Sequence, residues 1–578
     1  MAVKAAKIYI FILIFLHAGI NRCPAQFIDT TYFRSPLNIP LYLSATFGEL
    51  RPDHFHSGID IKTQGKTGLP IYAPADGYIA RVKIMLAGYG KSLYIIHPNN
   101  TTTVYGHLLR FTPAVEKFIR TVQYSRQEFA VDTEPESGRF PVKKGELIGY
   151  TGNSGYSFGP HLHFEVRKTH PENVLSYGFG ITDNIKPEIL SLIIYPQSLN
   201  SVINGKNIKQ IIPVIKKSDG RYTLHPDSNI HLMGPVGFGI ETYDLLDGSN
   251  NKCGIYSQQL IIDTQIICSV TFNQVSFDET RFVNTYMDYA EKLQSKREIH
   301  TSFAAPFNEL SIYSILKHKG IFTGKNKNYT GQYIIRDVHG NTSTLSFTFR
   351  ADSILPQLLS RYQPQTFSAL MNYDRENRFD TTGIKITIPA LAIYNNLLFE
   401  YKCTDTIPAG YFTPIHTLHN EFTPVHKNIT VSLQPNGLPD SLVNKAVIAM
   451  FTSDNKRSCP GGIYKNGWIT TQVRSFGRFT VGIDTTAPEL KLLNGKPGGD
   501  YTKERSIRFS MKDDFSGVLS FNGYIDGKWA LFEYDVKSNT IEYFFDTTRI
   551  TQAENHYLEM VIVDNRQNIT MFNMEFRY

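Results

Sequence analysis

Five residues of this 578-residue chain have types and spacings that suit them to work together chemically. His56 and Asp60 stand four apart in FGELRPDHFHSGIDIKT, His107 closes the strand-like VYGHL, and His161 and His163 alternate in GPHLHFEVR. Two imidazoles and a carboxylate with one open position are the usual donor set of a hydrolytic zinc centre, and further imidazoles beside it are suited to carry protons near neutral pH. In an extended strand, residues i and i+2 point the same way, roughly 6–7 Å apart. His161 and His163 therefore share a face and can serve one site in different roles. His56 and Asp60 impose a condition on the backbone. On a straight strand they would lie about 13 Å apart, too far to share an ion, so a shared ion requires a bend at Ser57 and Gly58, where glycine permits conformations closed to other residues. The remaining histidines, among them His54, His97 and His170, are read as structural or solvent-facing.

The elements that must hold these residues are β-strands. GLPIYAPADGYIARVKI and GKSLYIIHPNNTTTVYGHL are β-branched and aromatic runs cut by Gly, Asn and Pro, the pattern of antiparallel sheet. Gly88 and Gly90 in LAGYG are turn formers, since no helix follows to complete a phosphate loop. Between His107 and His161 the pattern changes. Val115, Phe118, Ile119 and Val122 predict a short amphipathic helix, followed by a polar loop to about residue 140.

FGELRPDHFHSGIDIKT, APADG, VYGHL, KKGELIG and GNSGYSFGPHLHFEVR resemble the lysostaphin/LytM-type zinc endopeptidases that cut peptide bonds in bacterial peptidoglycan. The resemblance covers roughly residues 40–170. It implies one zinc held by His56, Asp60 and His163, with His107 and His161 as catalytic histidines. His161 is then the general base toward the attacking water, and His107 either steadies the tetrahedral intermediate or passes a proton to the leaving amine. The stretch between His107 and His161 exceeds the family minimum, and the excess falls in residues 112–140. It is expected either to wall the substrate groove or to decorate the surface away from it.

A chain of this length implies several cores. The fold class expected is all-β: an antiparallel metallopeptidase domain over residues 26–184, then Ig-like β-sandwich units over 185–352, 353–484 and 485–578. An internal repeat supports this layout. YIIRDVHGNTSTLSFTFR, beginning at Tyr333, aligns without a gap with MVIVDNRQNITMFNMEFR, beginning at Met560, and pairs Asp337 with Asp564 and Asn341 with Asn568. Both read as closing hairpins. The starts KPEIL at Lys186 and APELK at Ala487 agree as well. The repeated Asp and Asn residues are read as turn formers rather than calcium ligands.

The N-terminal MAVKAAKIYIFILIFLHAGINRCPAQ has two lysines, a short apolar run and small residues before Gln26, the layout of a signal peptide cleaved after Ala25. Export to the periplasm, the cell envelope or the outer surface is expected. Loss of Lys4, Lys7 and Arg22 would leave a net charge of +4, too mild to indicate nucleic acid as a partner. Cys253, Cys268, Cys403 and Cys459 would remain, either paired as disulfides or buried as thiols, and none has a CxxC spacing for zinc. The expected partner is peptidoglycan, with other envelope proteins engaging the sandwich units. Two other functions fit a chain of this design: a non-catalytic activator of a wall amidase, and an envelope scaffold or adhesin with a structural zinc. The full donor set with two spare histidines favours the enzyme.

Overall fold

Alternation along one strand, HLHFEVR, organises the block that carries the five residues. The computed structural model describes residues 29–353 and 366–578, so the expected signal segment lies outside the described residues. The strands are β1 (Leu43–Ala45), β2 (Ile59–Lys62), β3 (Gly77–Ile84), β4 (Lys91–Ile96), β5 (Thr102–Gly106), β6 (Val131–Thr133) and β7 (His161–Arg167), with helix α1 (Pro113–Arg126) between β5 and β6. They form one sheet in the order β1-β2-β7-β5-β4-β3-β6, antiparallel throughout. β7 is central, with β2 on one side and β5 on the other.

Leu162, Phe164 and Val166 project from β7 into an apolar core with Ile59, Ile61 and Tyr105, all fully buried. At about 1.5–3 kcal/mol for each large apolar side chain removed from water, this face fixes which way the strand turns. The intervening residues His161, His163, Glu165 and Arg167 must then share the opposite face. Both faces are covered, one by apolar contacts and one by a polar site.

The helix forms as its pattern requires. Pro113 occupies its first turn, Val115 and Ile119 are buried against the core, and Gln127 ends it in a left-handed conformation. The segment that follows is not a simple polar loop. Val131–Thr133 adds the edge strand β6 against β3, locked by a two-pronged Arg81–Asp132 ion pair at 2.6 and 2.5 Å. Alternation over three residues is too short to distinguish from loop in sequence.

Three further apolar cores follow along the chain, centred on strands within residues 189–351, 371–483 and 490–578. Phe47, Leu50 and Phe55, just before His56, pack into the first of these rather than into the core beneath β7. The two repeated segments form antiparallel hairpins, Lys327–Arg336 with Thr342–Asp352 and Asn555–Asp564 with Ile569–Arg577. Cys253, Cys268, Cys403 and Cys459 are all unpaired. No helix of the described residues is long and apolar enough to cross a membrane.

The last unit reaches back to the first. Tyr124 on α1 meets Trp529 edge to face at 5.3 Å, the Arg549 guanidinium lies 3.9 Å above the Tyr124 ring, and Lys91 pairs with Glu533 at 2.8 Å. Helix α1 is thus held between the site-bearing sheet and the C-terminal unit, which answers where the inserted segment packs.

Gly58 does not take a left-handed conformation, contrary to the expectation from its place in the bend. It is required by proximity: a Cβ there would stand 2.4 Å from the Phe164 carbonyl oxygen. Gly58→Ala is expected to push β2 off β7 and lower stability by about 1–3 kcal/mol, measured by urea denaturation. An unchanged midpoint would contradict the close-approach argument.

Candidate metal centre

Strand register brings the donors together. His163 on β7 lies directly opposite Asp60 on β2 and opposite Gly106 on β5, the residue before His107. Backbone bonds from Gly48 N to His56 O and from His56 N to Glu49 O close a hairpin that anchors His56, and the chain then bends into β2 so that His56 Nε2 reaches Asp60 Oδ1. The required bend is therefore present, and it carries His56 back over Asp60.

His56 Nε2 is 3.2 Å from Asp60 Oδ1 and 3.2 Å from His163 Nδ1, and His163 Nδ1 is 2.9 Å from Asp60 Oδ1. Ligand atoms 2.0–2.2 Å from one ion in tetrahedral directions are about 3.3 Å apart. The other ring nitrogens are already committed. His56 Nδ1–H donates to the Thr46 carbonyl at 2.8 Å, and His163 Nε2–H donates to Glu165 Oε1 at 2.8 Å. Two ring lone pairs then face each other across 3.2 Å beside a carboxylate, an arrangement that needs a cation or a proton between them. The donor set fits a metal ion with N and O ligands.

Glu165 is a functional residue absent from the sequence-based set. It is fully buried and accepts from His163, from Ser57 Oγ at 2.8 Å, from Tyr89 Oη at 2.5 Å and from Arg167 Nε at 2.5 Å. A carboxylate behind a ligating histidine fixes its tautomer and raises its basicity. The available signal was position, because Glu165 is the next residue on the face that carries His161 and His163. Tyr89, in the LAGYG turn, stacks on the His163 ring with centroids 4.9 Å apart. Only the fold could assign it there.

His107 follows β5 in a left-handed conformation, φ +61°, and is buried. Its N–H donates to the Tyr89 carbonyl at 2.8 Å, and its Nδ1–H donates to the Ser154 carbonyl at 2.8 Å, so Nε2 is left for the site. Ser154 Oγ donates to Leu108 O and accepts from Lys91 N, joining three loops. Gly90 and Gly155 permit this junction. Both have positive φ, and a Cβ on Gly155 would lie 2.3 Å from Gly90 N. His161 Nδ1–H donates to the Gly159 carbonyl at 2.8 Å, and its Nε2 stands 3.6 Å from Asp60 Oδ1. The His107 and His161 rings are 4.7 Å apart. All five expected residues thus converge. His97 does not join them; it is buried between the Asp76 carbonyl and Thr103 Oγ1 in a structural role.

The electrostatics follow from burial and neighbours. Burial works against a charged His163, but Asp60 and Glu165 outweigh it and push the imidazole up to about 9 in the metal-free site. Asp60, despite burial, is held well below the ordinary carboxylate range by His56 and His163. Burial, reinforced by His163 and His161, lowers His107 to about 3. Beside the centre, Tyr156 and Phe158 are exposed and touch edge to face at 5.4 Å.

Comparisons with known proteins find sequence matches over the segments that carry these residues. Residues 54–124 and 136–174 match peptidase family M23, a match interrupted over the end of α1 and the whole of β6, and residues 368–484 match a Zu5-like domain. An uncharacterized metalloprotease of Haemophilus influenzae is 33% identical over 150 residues, which are 26% of this chain and 25% of the relative. A DD-carboxypeptidase/endopeptidase Mpg of Neisseria meningitidis serogroup B is 35% identical over 112 residues, 19% of this chain and 20% of the relative. The chain thus spans a quarter or less of the length of these relatives. Among solved structures, the catalytic domain of lysostaphin from Staphylococcus simulans is 20% identical, covering 24% of this chain and 91% of that one with a TM-score of 0.18. A zinc-containing peptidase from Vibrio cholerae is 24% identical, covering 25% and 38% with a TM-score of 0.19.

Glu165→Gln is expected to weaken metal affinity about 10–100-fold, read by competition with a chromogenic chelator. Because His163 holds a proton below about pH 9 in the metal-free site, metal binding at pH 7 must release it, and affinity must fall as pH is lowered. Calorimetry in buffers of different ionisation enthalpy should report about one proton released. A value of zero would show His163 already neutral.

Proposed function

We propose that the chain is an exported zinc endopeptidase that hydrolyses peptide bonds in peptidoglycan stem peptides or cross-links, a reading supported by the match of residues 54–124 and 136–174 to peptidase family M23. The observation that carries the reading is the division of labour among five residues. Three present donor atoms 2.9–3.2 Å apart, and two histidines stand beside them with committed Nδ1 atoms and available Nε2 atoms. A structural zinc is usually closed by four protein ligands, whereas three leave a position for reaction. The name of the Neisseria relative, a carboxypeptidase and endopeptidase, supports the choice of a peptidase that acts on peptidoglycan.

His56, Asp60 and His163 would hold one zinc per peptidase domain, which when bound would supply Lewis acidity toward the scissile carbonyl and water. His161 takes the proton from the attacking water at Nε2, because its Nδ1–H is held by Gly159 and its Nε2 borders the ligand set. Asp60 balances the imidazolium charge that forms. His107, with Nδ1–H tied to Ser154, can give a proton toward substrate only through a protonated Nε2. The proton that His161 takes from water must reach the leaving amine, and the His107 ring, 4.7 Å from His161 and of low proton affinity, is suited to relay that proton rather than hold it. Tyr156 and Phe158 offer an exposed apolar wall for substrate, and α1 with the C-terminal unit bounds the block on another side.

The proposed organisation is a peptidase block over residues 26–184 and sandwich units over 185–352, 353–484 and 485–578, supported by four separate apolar cores. Peptidoglycan is the proposed partner, with envelope proteins engaging the sandwich units.

The test is digestion of purified peptidoglycan by the zinc-loaded chain, with products identified by mass. His161→Ala and His107→Ala should each retain zinc and lose about 10²–10⁴-fold in kcat, whereas His163→Ala should lose the metal itself. Metal analysis beside turnover separates the two classes, and full activity in His161→Ala would sink the base assignment. Phe158→Ala should raise KM several-fold at unchanged kcat if that ring contacts substrate.

A further inference from the structure

Outside the peptidase site, the two repeated units each gather three aspartates at the same place in the fold. In the first, Asp183 precedes PEIL by three residues, Asp244 follows the strand Val236–Tyr243, and Asp337 ends the first half of the closing hairpin. In the last, Asp484, Asp513 and Asp564 occupy the corresponding positions around PEL, the strand Ser506–Lys512 and the second hairpin. The supporting bonds are duplicated as well. Asn341 Nδ2 donates to the Asp183 carbonyl at 3.0 Å and to Asp337 Oδ2 at 2.7 Å, and Asn568 Nδ2 donates to the Asp484 carbonyl at 3.0 Å and to Asp564 Oδ2 at 2.7 Å.

Turn formation explains part of this, because Asp337 Oδ1 and Asp564 Oδ1 each accept a backbone N–H at 2.8 Å within their turns. It only partly explains Asp183, whose Oδ1 accepts from Ile185 N at 3.0 Å, and it does not explain Asp244. They are 7% and 4% exposed, and Asp183 Oδ2 and Asp244 Oδ1 are buried without a hydrogen-bond partner. Both line one cavity of about 10 Å³ together with Asp337, room for a single ion or water. Asp513 Oδ1 in the last unit is likewise buried and unpartnered. Ligand atoms of Asp183, Asp337 and His339 in the first unit, and of Asp484, Asp513 and Asp564 in the last, lie within 4.8 Å of one another, whereas Asp244 stands outside the first group. Among the described residues none of these six carboxylates enters an ion pair. His339 beside the first cluster donates to the Ile181 carbonyl at 3.0 Å, and its counterpart Arg566 donates to the Gly462 carbonyl at 2.9 Å.

Buried like charges with unpartnered oxygens are costly unless a cation is shared. Without one, the cost appears as protonation. Burial, then Asp337 and Asp183, pushes Asp244 up to about 9, and burial with Asp484 and Asp564 raises Asp513. We propose that each repeated unit binds one calcium ion, at Asp183 and Asp337 with Asp244 lining the same cavity in the first, and between Asp484, Asp513 and Asp564 in the last. All-oxygen donors of high negative charge, completed by carbonyls and water, suit a hard cation that accepts six to eight ligands in irregular geometry.

The placement gives the ions a task. Asp183 lies in the segment leaving the peptidase block, and Thr46, Phe47 and Asn173 of that block line the same cavity. Asp484 directly follows Gly477–Ile483 of the middle unit, whose Lys445 donates to Asn568 Oδ1 at 2.6 Å. Each ion pins a repeated unit to the one before it. Through the second junction calcium also governs how the last unit is presented to α1. The proposal is independent of the peptidase reaction.

The test is a calcium titration of the full, zinc-loaded chain in calcium-free buffer, by calorimetry and by thermal melting. Two equivalents should bind, and the melting temperature should rise by several degrees. Asp337→Asn and Asp564→Asn should each remove one equivalent. Asp244→Asn and Asp513→Asn remove repulsion, so each should melt at or above the parent temperature without calcium while losing one equivalent; this keeps the test independent of misfolding. No bound calcium at about 10 mM, well above the weakest protein sites, would overturn the proposal, as would two equivalents retained in all four variants. An equal response to magnesium would overturn the choice of calcium.

Discussion

The pairing of β7 with β2 on one side and β5 on the other is the constraint on which the site depends. It sets His163 opposite Asp60 and beside the strand end that delivers His107. A one-residue slip would turn His163 into the apolar core and Phe164 into the site, so the fully buried Leu162, Phe164 and Val166 protect the chemistry as well as the fold. The close approach at Gly58 belongs to the same constraint, since any side chain there would part the two strands that carry the ligands.

Burying Glu165 is the main electrostatic cost of this arrangement. A fully buried carboxylate is tolerated because His163, Arg167, Ser57 and Tyr89 all bond to it. The result is a rigid chain from guanidinium to carboxylate to imidazole, which ends at the donor atom Nδ1. His163 is thereby held in one orientation, which would leave little reorganisation for an ion bound at Nδ1.

His107 and His161 are held differently. Both lie at the ends of loops, and backbone carbonyls rather than carboxylates fix their rings. His107 in particular sits in a left-handed conformation, and bonds to the Tyr89 and Ser154 carbonyls hold it there at a crossing of loops. One of those loops is touched from outside, because Lys537 of the last unit donates to the Asn153 carbonyl next to Ser154. The C-terminal unit, some 400 residues away in sequence, therefore borders both α1 and the loop that orients His107.

The sequence by itself determined the donor types, their faces and the all-β class. Alternation with period two is a local property, and side chains such as His161 and His163 obey it wherever the strand is placed. The repeat that aligns Asp337 with Asp564 and the helix pattern at Val115 and Ile119 were legible for the same reason. Local pattern does not record how far apart two segments lie once the chain turns back. Only the tertiary structure decided that His56 and Asp60 close to 3.2 Å, that Glu165 and Tyr89 stand behind His163, and that Asp183 and Asp244 join Asp337 in one pocket. Each depends on strand register and loop crossing between segments distant in sequence, where the energy lies in contacts that no short window contains.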